Sequence, residues 1–267
     1  MINNQSLLQY LSDAFRGIYS GKQLKRAVDS GFCFVNGKVE RFSSRRLKKS
    51  DVVLFRKEGI INIEKKSALQ TIFEDDEMIV LHKPSGMDVK KIQELYDGKA
   101  FLAHRLDKPT SGVLILAKTA AMRDSFEDLF RTKRISKYYV AWVNGVVKED
   151  QGKIESQITC KSHYDGQKIM GIGKGSEAIT HWKVLKRVGK VTFISLVPLT
   201  GKTHQLRVHM ASIGHPILGD YQYSKSVSSE IYPRRLLLHA KKVMFIHPKT
   251  QRPFTFQAPF PKDFVFT

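Results

Sequence analysis

The stretch His104-Arg105-Leu106-Asp107-Lys108-Pro109-Thr110-Ser111-Gly112-Val113-Leu114-Ile115-Leu116-Ala117 decides how the rest of the chain is read. It opens with charge, turns through Lys108-Pro109-Thr110-Ser111-Gly112 and enters an unbroken apolar segment, Val113 to Ala117. Proline and glycine punctuate a turn, and the apolar run after it reads as a buried strand. Asp107 therefore stands at the edge of a buried element, where strand packing can fix its carboxylate. Arg105 and Lys108 flank it and favour the ionised form if they lie near in space. Taken alone, Asp107 is an ordinary turn aspartate. The rest of the chain supplies the context that changes this.

The chain has 267 residues, with 45 Lys and Arg against 25 Asp and Glu, a formal charge of +20. Such an excess attracts polyanions, and nucleic acid is the leading partner. A membrane surface is the rival for a basic protein. However, no apolar run is long enough to span a bilayer and no basic amphipathic anchor stands out, so no membrane partner is expected. The start, Met1-Ile2-Asn3-Asn4-Gln5, lacks the basic opening and apolar centre of a secretory signal. Cys33 and Cys160 are far apart in dissimilar contexts, which suggests neither a disulfide framework nor a metal cluster. A cytoplasmic, reduced protein is expected, working as a monomer.

Residues 1–57 read as a small separate module, 58–68 as a polar linker, and 69–267 as the long domain. In the module, Leu7, Leu8, Leu11 and Phe15 recur at helical spacing, as do Leu24, Ala27 and Val28. Ser20 is placed to cap the second helix and Gly31 to close it. Asn36-Gly37 between Phe34-Val35 and Lys38-Val39 is the strongest short hairpin signal, and Val52 to Phe55 reads as a further strand. Over Met1 to Lys66 the net charge is +8. Lys22, Lys25 and Arg26 share a helical face, and Arg45 and Arg46 belong to a second basic cluster. Two clusters bordering a hairpin in so small a module point to phosphate contact.

In the long domain, Thr71 to Phe73 and Met78 to Leu81 read as strands, and Ala120 to Phe130 as a helix. Met122, Phe126, Leu129 and Phe130 share the core face of that helix. Tyr138 to Val143 is aromatic and β-branched, hence a strand, and Val191 to Val197 is another. His204 to Ser212 reads as a helix closed by Gly214. Many short strands with few helices predict an α+β fold, largely antiparallel.

Two rival signals fail. Gly201-Lys202-Thr203 copies the end of a phosphate-binding P-loop, but the first glycine should fall at position 196, which is Leu. Gly171, Gly173 and Gly175 miss the dinucleotide spacing because position 176 is Ser. His204 and His209, five apart, point to different faces of a helix and do not form a metal pair, so packing or RNA contact is expected of both.

The motif around Asp107 resembles that of the RluA-type pseudouridine synthase family, H-R-L-D-x-x-T-S-G followed by an apolar strand. Five further stretches resemble it in the same order: Lys83 to Met87, Lys137 to Ala141, Thr200 to His209, His215 to Asp220, and Leu238-His239-Ala240. Together they run from about Ile72 to Pro259. The N-terminal module resembles the alpha-L RNA-binding domain of the ribosomal-protein-S-four type through Ser20 to Gly31 and Val35 to Lys38. It departs in having Ser50-Asp51 where that family carries Gly-Asp.

The resemblance implies a mainly antiparallel mixed-sheet catalytic domain that isomerises uridine in RNA to pseudouridine, with no cofactor or metal. By the same resemblance Asp107 is the catalytic aspartate, Tyr139 the residue that stacks on uracil, with Tyr138 its competitor one register away, and Arg207 the cation paired with Asp107. Arg105 and Lys108 are expected to help hold RNA, together with Lys22, Lys25, Arg26, Arg45 and Arg46 in the module. Large-subunit rRNA is the favoured substrate and tRNA the alternative. From another class, a non-catalytic RNA-binding or ribosome-assembly factor on the same fold is the competing reading. Loss of Asp107, the tyrosine or the arginine would favour it, and all three are present.

Overall fold

A computed structural model describes residues 5–29, 31–56, 69–96, 98–164, 167–224, 231 and 233–264. The chain divides into two compact units, Met1–Ala68 and Leu69–Thr267. The expected linker, 58–68, lies outside the described residues.

In the first unit, the Ser6 hydroxyl accepts the Gln9 amide (3.2 Å) and starts α1 (Leu7–Ala14). Ser20 and Gln23 cap α2 (Gly21–Asp29) reciprocally. The Ser20 hydroxyl takes the Gln23 amide (3.3 Å), and Gln23 Oε1 takes the Ser20 amide (2.7 Å). Leu7, Leu11, Leu24, Ala27 and Val28 bury against Cys33, Val35 and Leu47. Asn36 and Gly37, both left-handed at φ 53° and 76°, join β1 (Cys33–Val35) to β2 (Lys38–Glu40). β3 (Val53–Phe55) pairs antiparallel on the other edge of β1. Ser50 takes no left-handed φ, so the corner before β3 needs no glycine. Asp51 fastens that corner, accepting from Asn36 Nδ2 (2.8 Å) and the Lys48 amide (3.0 Å).

The second unit has the α+β architecture expected from the sequence. Its strands are β4 (Gln70–Glu74), β5 (Met78–Lys83), β6 (Phe101–Leu102), β7 (Ser111–Ala117), β8 (Ile135–Asn144), β9 (Gln151–Tyr164), β10 (Gln167–Ile172), β11 (Ser176–Val188), β12 (Val191–Pro198), β13 (Leu238–Ile246) and β14 (Pro253–Gln257). They form one mixed sheet in the order β10-β9-β11-β12-β8-β13-β7-β5-β4, with β14 beside β13 and β6 beside β7. Every described pairing is antiparallel except β13 with β7, where His239 lies opposite Ser111 and Ala240 opposite Gly112.

The central strands are covered on both faces. Val80, Val113 and Ile115 pack on Met122, Phe126 and Leu129 of α4 (Ala120–Arg131). Their neighbours Ile79, Leu81, Leu114 and Leu116 pack on Val89 and Ile92 of α3 (Val89–Glu94). A strand buried on both sides reads as a continuous apolar run, which is what Val113 to Ala117 displays. The helix expected from His204 begins one residue later, as α5 (Gln205–Ser212). His204 itself is left-handed (φ 56°) and precedes the helix. Leu206 and Met210 of α5 pack on Ala141, Val143, Ile194 and Leu196. His209 ties α5 to the sheet, bonded through Nδ1 to Thr180 Oγ1 (2.9 Å) and through Nε2 to Ser156 Oγ (3.0 Å).

Two expected outcomes follow from this packing. A Cβ on Gly112 (φ 122°) would stand 2.2 Å from the Ala240 carbonyl oxygen and 2.6 Å from its nitrogen, both backbone atoms in the one parallel ladder. Gly112→Ala should destabilise by about 3 kcal/mol or more, because strain and clash add; an unshifted urea midpoint would contradict the close approach. Burial also pushes His209 and His104 down to about 4, and His239 to about 3. The unfolded chain takes up these protons from pH 6.5 downward and the folded chain does not, so stability should fall as pH drops from 6.5 toward 4. Each such histidine accounts for about 3 kcal/mol over that range. Urea midpoints that stay flat between pH 7 and 4 would be inconsistent with it.

Candidate active site

Asp107 lies in the loop that feeds β7, and three features hold that loop. First, Lys83 at the end of β5 is fully buried, and its ammonium donates to the carbonyls of Pro84 (3.0 Å), Met87 (2.8 Å) and Lys108 (3.0 Å). Burial drags its pKa down to about 7, with Asp107 and Asp88 pulling back. The three carbonyls counter the burial by accepting three N–H bonds, which only the protonated amine supplies. Second, the Gly86 amide donates to the Lys108 carbonyl (2.8 Å), and the Ser85 hydroxyl to that of Pro109 (2.6 Å). Third, His104 Nε2 accepts the Ile115 amide (3.0 Å) from β7 itself. Burial keeps that ring neutral, at about 4.

The loop opens on a cavity of about 530 Å³ lined by Asp107, Tyr139, Arg207, His204, Arg105 and Lys202, among others. Tyr139 comes from β8 and reaches the cavity, while Tyr138 lies under Lys242, whose Nζ is 4.2 Å from the ring centre. Burial, and then the Asp107 charge, raises the Tyr139 phenol above its ordinary range. Arg105 lines the cavity and is exposed, whereas Lys108 is exposed outside the lining and contributes its backbone carbonyl instead.

Arg207 is buried, at 6 % exposure. One edge of its guanidinium forks onto Asp220, Nε to Oδ2 at 2.7 Å and Nη2 to Oδ1 at 2.9 Å, and Nη2 also donates to Gln222 Oε1 (2.8 Å). The remaining nitrogen, Nη1, stands 3.6 Å from Asp107 Oδ2. The pairing with Asp107 is thus the looser of two, and Asp220 is the partner that fixes the arginine. Sequence reasoning places Asp220 only within a motif. Its chain separation from Arg207 is small, but nothing in the residue types marks that aspartate as the buried one.

Phe130 packs on the core cluster of Met122, Phe126 and Leu129 as expected, and it also lines the cavity with its ring 5.1 Å from that of His104. Arg45 in the first unit is held by Glu40 at 2.7 Å, so its charge is matched locally. Lys22, Lys25, Arg26 and Arg46 are exposed. Among the described residues, no group of three His, Cys, Asp or Glu side chains is arranged to hold a metal ion, and no helix is long and apolar enough to cross a membrane.

A cavity that presents a carboxylate, a phenol and a buried guanidinium can hold a flat polar ring and act on the atom bonded to it. Similarity to known proteins agrees with that chemistry. Residues 77–212 match the RNA pseudouridylate synthase family. The chain is 36% identical over 214 residues to the ribosomal large subunit pseudouridine synthase C of Buchnera aphidicola subsp. Baizongia pistaciae, covering 73% of this chain and 67% of that protein. It is 35% identical over 205 residues to the dual-specificity RNA pseudouridine synthase RluA of Pasteurella multocida, covering 72% and 93%. To the ribosomal large subunit pseudouridine synthase D of Neisseria meningitidis serogroup A it is 30% identical over 274 residues, covering 92% and 73%. The structure of human RNA pseudouridylate synthase domain containing 1 is similar with a TM-score of 0.63 at 28% identity, covering 72% and 84%. The chain therefore belongs to the RNA pseudouridylate synthase family and is an RNA pseudouridine synthase, an isomerase.

Proposed function

We propose that Asp107 is the catalytic carboxylate of this synthase, that Tyr139 stacks on the target uracil, and that Arg207 aims the carboxylate. The observation that carries the reading is their convergence on one cavity, with Arg207 Nη1 3.6 Å from Asp107 Oδ2. In the reaction the bond from ribose C1′ to uracil N1 breaks, the base turns while held, and C5 bonds to C1′. C5 gives up its proton and N1 gains one, so the product is an isomer of the substrate. Asp107 serves either by attack at C1′ or by taking a ribose proton. Glycosidases add a second carboxylate to protonate the leaving group and manage water. Here the base must stay, so a site that excludes water suits the chemistry. The raised phenol of Tyr139 keeps its proton, leaving an uncharged ring face for the base.

The target uridine must leave its stack, at a cost of a few kcal/mol, and phosphate contacts offset that. We assign part of them to Arg105 at the cavity and part to residues 1–57, read as an S-four-type RNA-binding domain joined through 58–68 to the catalytic domain, 69–267. The capped helix α2, with Lys22, Lys25 and Arg26 exposed beside the Asn36-Gly37 hairpin, supports this. Large-subunit rRNA is the favoured substrate, because two of the relatives above are named for it. The dual-specificity relative keeps tRNA as the second candidate.

Asp107→Asn should leave RNA affinity within about twofold and abolish isomerisation, since an amide of the same shape removes the charge and little else. Tritium release from RNA labelled at uridine C5 measures it, and turnover by that variant would remove Asp107 from the role. Deleting residues 1–57 should weaken RNA binding and flatten its salt dependence, by about one unit of log–log slope for each phosphate no longer neutralised. An unchanged affinity would contradict the appended domain.

A further inference from the structure

His204 stands at the reaction centre in a conformation that needs explaining. It is a non-glycine residue with a left-handed backbone (φ 56°), a placement that costs about 1–2 kcal/mol. Strain of this kind persists where the surroundings over-determine it, and it clusters at working sites. Here the surroundings are specific. His204 Nδ1 lies 2.7 Å from the Tyr223 hydroxyl, and that hydroxyl oxygen accepts the Met170 amide at 3.0 Å. Nδ1 is the acceptor within reach of the phenol's own proton, so the hydroxyl donates to it. The imidazole then carries its own proton on Nε2. Nε2 faces Asp107, 3.9 Å from Oδ2.

Both approaches to Asp107 converge on that same oxygen, Arg207 Nη1 at 3.6 Å and His204 Nε2 at 3.9 Å. Oδ1 has neither. The Tyr223 ring also lies against the Arg207 guanidinium, 4.8 Å from its centre, so one tyrosine braces both donors. We propose that His204, fixed by Tyr223 as the Nε2–H tautomer, is a positioning residue of the reaction. With Arg207 it holds Oδ2 of Asp107 and thereby presents Oδ1 to the ribose. The two contacts are longer than hydrogen bonds, as such contacts commonly are before substrate closes the site. Burial lowers the histidine's pKa and raises the tyrosine's, so the first is neutral and the second protonated, in keeping with this arrangement. The inference rests on the reading of Asp107 as the catalytic carboxylate and assigns its two oxygens different tasks.

The test uses the full chain and C5-tritiated total RNA from cells lacking this gene, under single-turnover conditions. His204→Asn suits the left-handed backbone but is too short to reach Asp107. It should slow release about 100-fold, the scale of an ångström's misplacement, with RNA affinity within about twofold. His204→Gln, which returns an N–H near the position of Nε2, should recover about tenfold of that loss. Tyr223→Phe keeps the ring over Arg207 but frees the tautomer, and should slow release about tenfold with affinity unchanged. Wild-type rates in His204→Asn and Tyr223→Phe, beside an inactive Asp107→Asn, would overturn this inference alone. So would a His204→Asn defect that appears in affinity rather than rate, or a His204→Gln no faster than His204→Asn. An active Asp107→Asn would overturn the reading beneath it.

Discussion

A single buried ammonium underlies the site. Lys83 is fully buried, and it binds three backbone carbonyls from two loops, its own Lys83-to-Met87 turn and the Asp107 loop at Lys108. An isolated ammonium moved from water into an apolar interior is costly, and carbonyl dipoles arranged around it are what make it tolerable. The arrangement is therefore reciprocal. The cation is stable only where the two loops meet, and the loops meet in that register because the cation is there. With Ser85 on the Pro109 carbonyl and the Gly86 amide on that of Lys108, the turn is bound to the Asp107 loop without touching the Asp107 side chain. The Asp107 side chain is left facing the cavity.

The opposite wall works on a different principle. Arg207 is fixed by Asp220, itself buried at 2 % exposure, through a two-point fork. A guanidinium is planar and rigid, so anchoring two nitrogens determines where the third points. Nη1 is thereby delivered to Asp107 with its position already set. A lysine would offer no such leverage. The site holds two aspartates around one arginine, one as anchor and one exposed to the cavity, and the close contacts belong to the anchor.

Much of this is legible in the sequence. The apolar run after Gly112, the Asn36-Gly37 turn and the capped α2 are local features whose residue types carry their own geometry. Asp107 can be found because its turn and its strand are adjacent in the chain. The register that separates Tyr139 from Tyr138 also comes from the motif, and the structure turns Tyr139 into the cavity. What is not legible depends on partners brought together by the sheet. Phe130 follows the helical period of core residues and packs on that core, but its second place, in the cavity wall beside His104, cannot be read from the period. In sequence Arg45 looks like one of several free cations, since nothing in the chain marks Glu40 as its neighbour. Periodicity makes His204 the first helical residue because it cannot report a left-handed φ. The surroundings of His204 depend on Tyr223, nineteen positions away, and on a strand amide further still.

The parallel ladder between β7 and β13 has a consequence in time. Ser111 and Gly112, which follow the Asp107 loop, pair with His239 and Ala240, and the Ser111 hydroxyl is bonded to His239 Nδ1 at 2.9 Å across 128 positions. Until β13 exists, β7, the strand that follows the Asp107 loop, has β5 and β6 beside it but not its parallel neighbour. Contacts so distant along the chain form late, since loop closure precedes any gain from them. During synthesis the first unit can fold while the remainder is still being made. Assembly of the Asp107 loop on its complete sheet would thus wait for β13, long after the first unit can have folded.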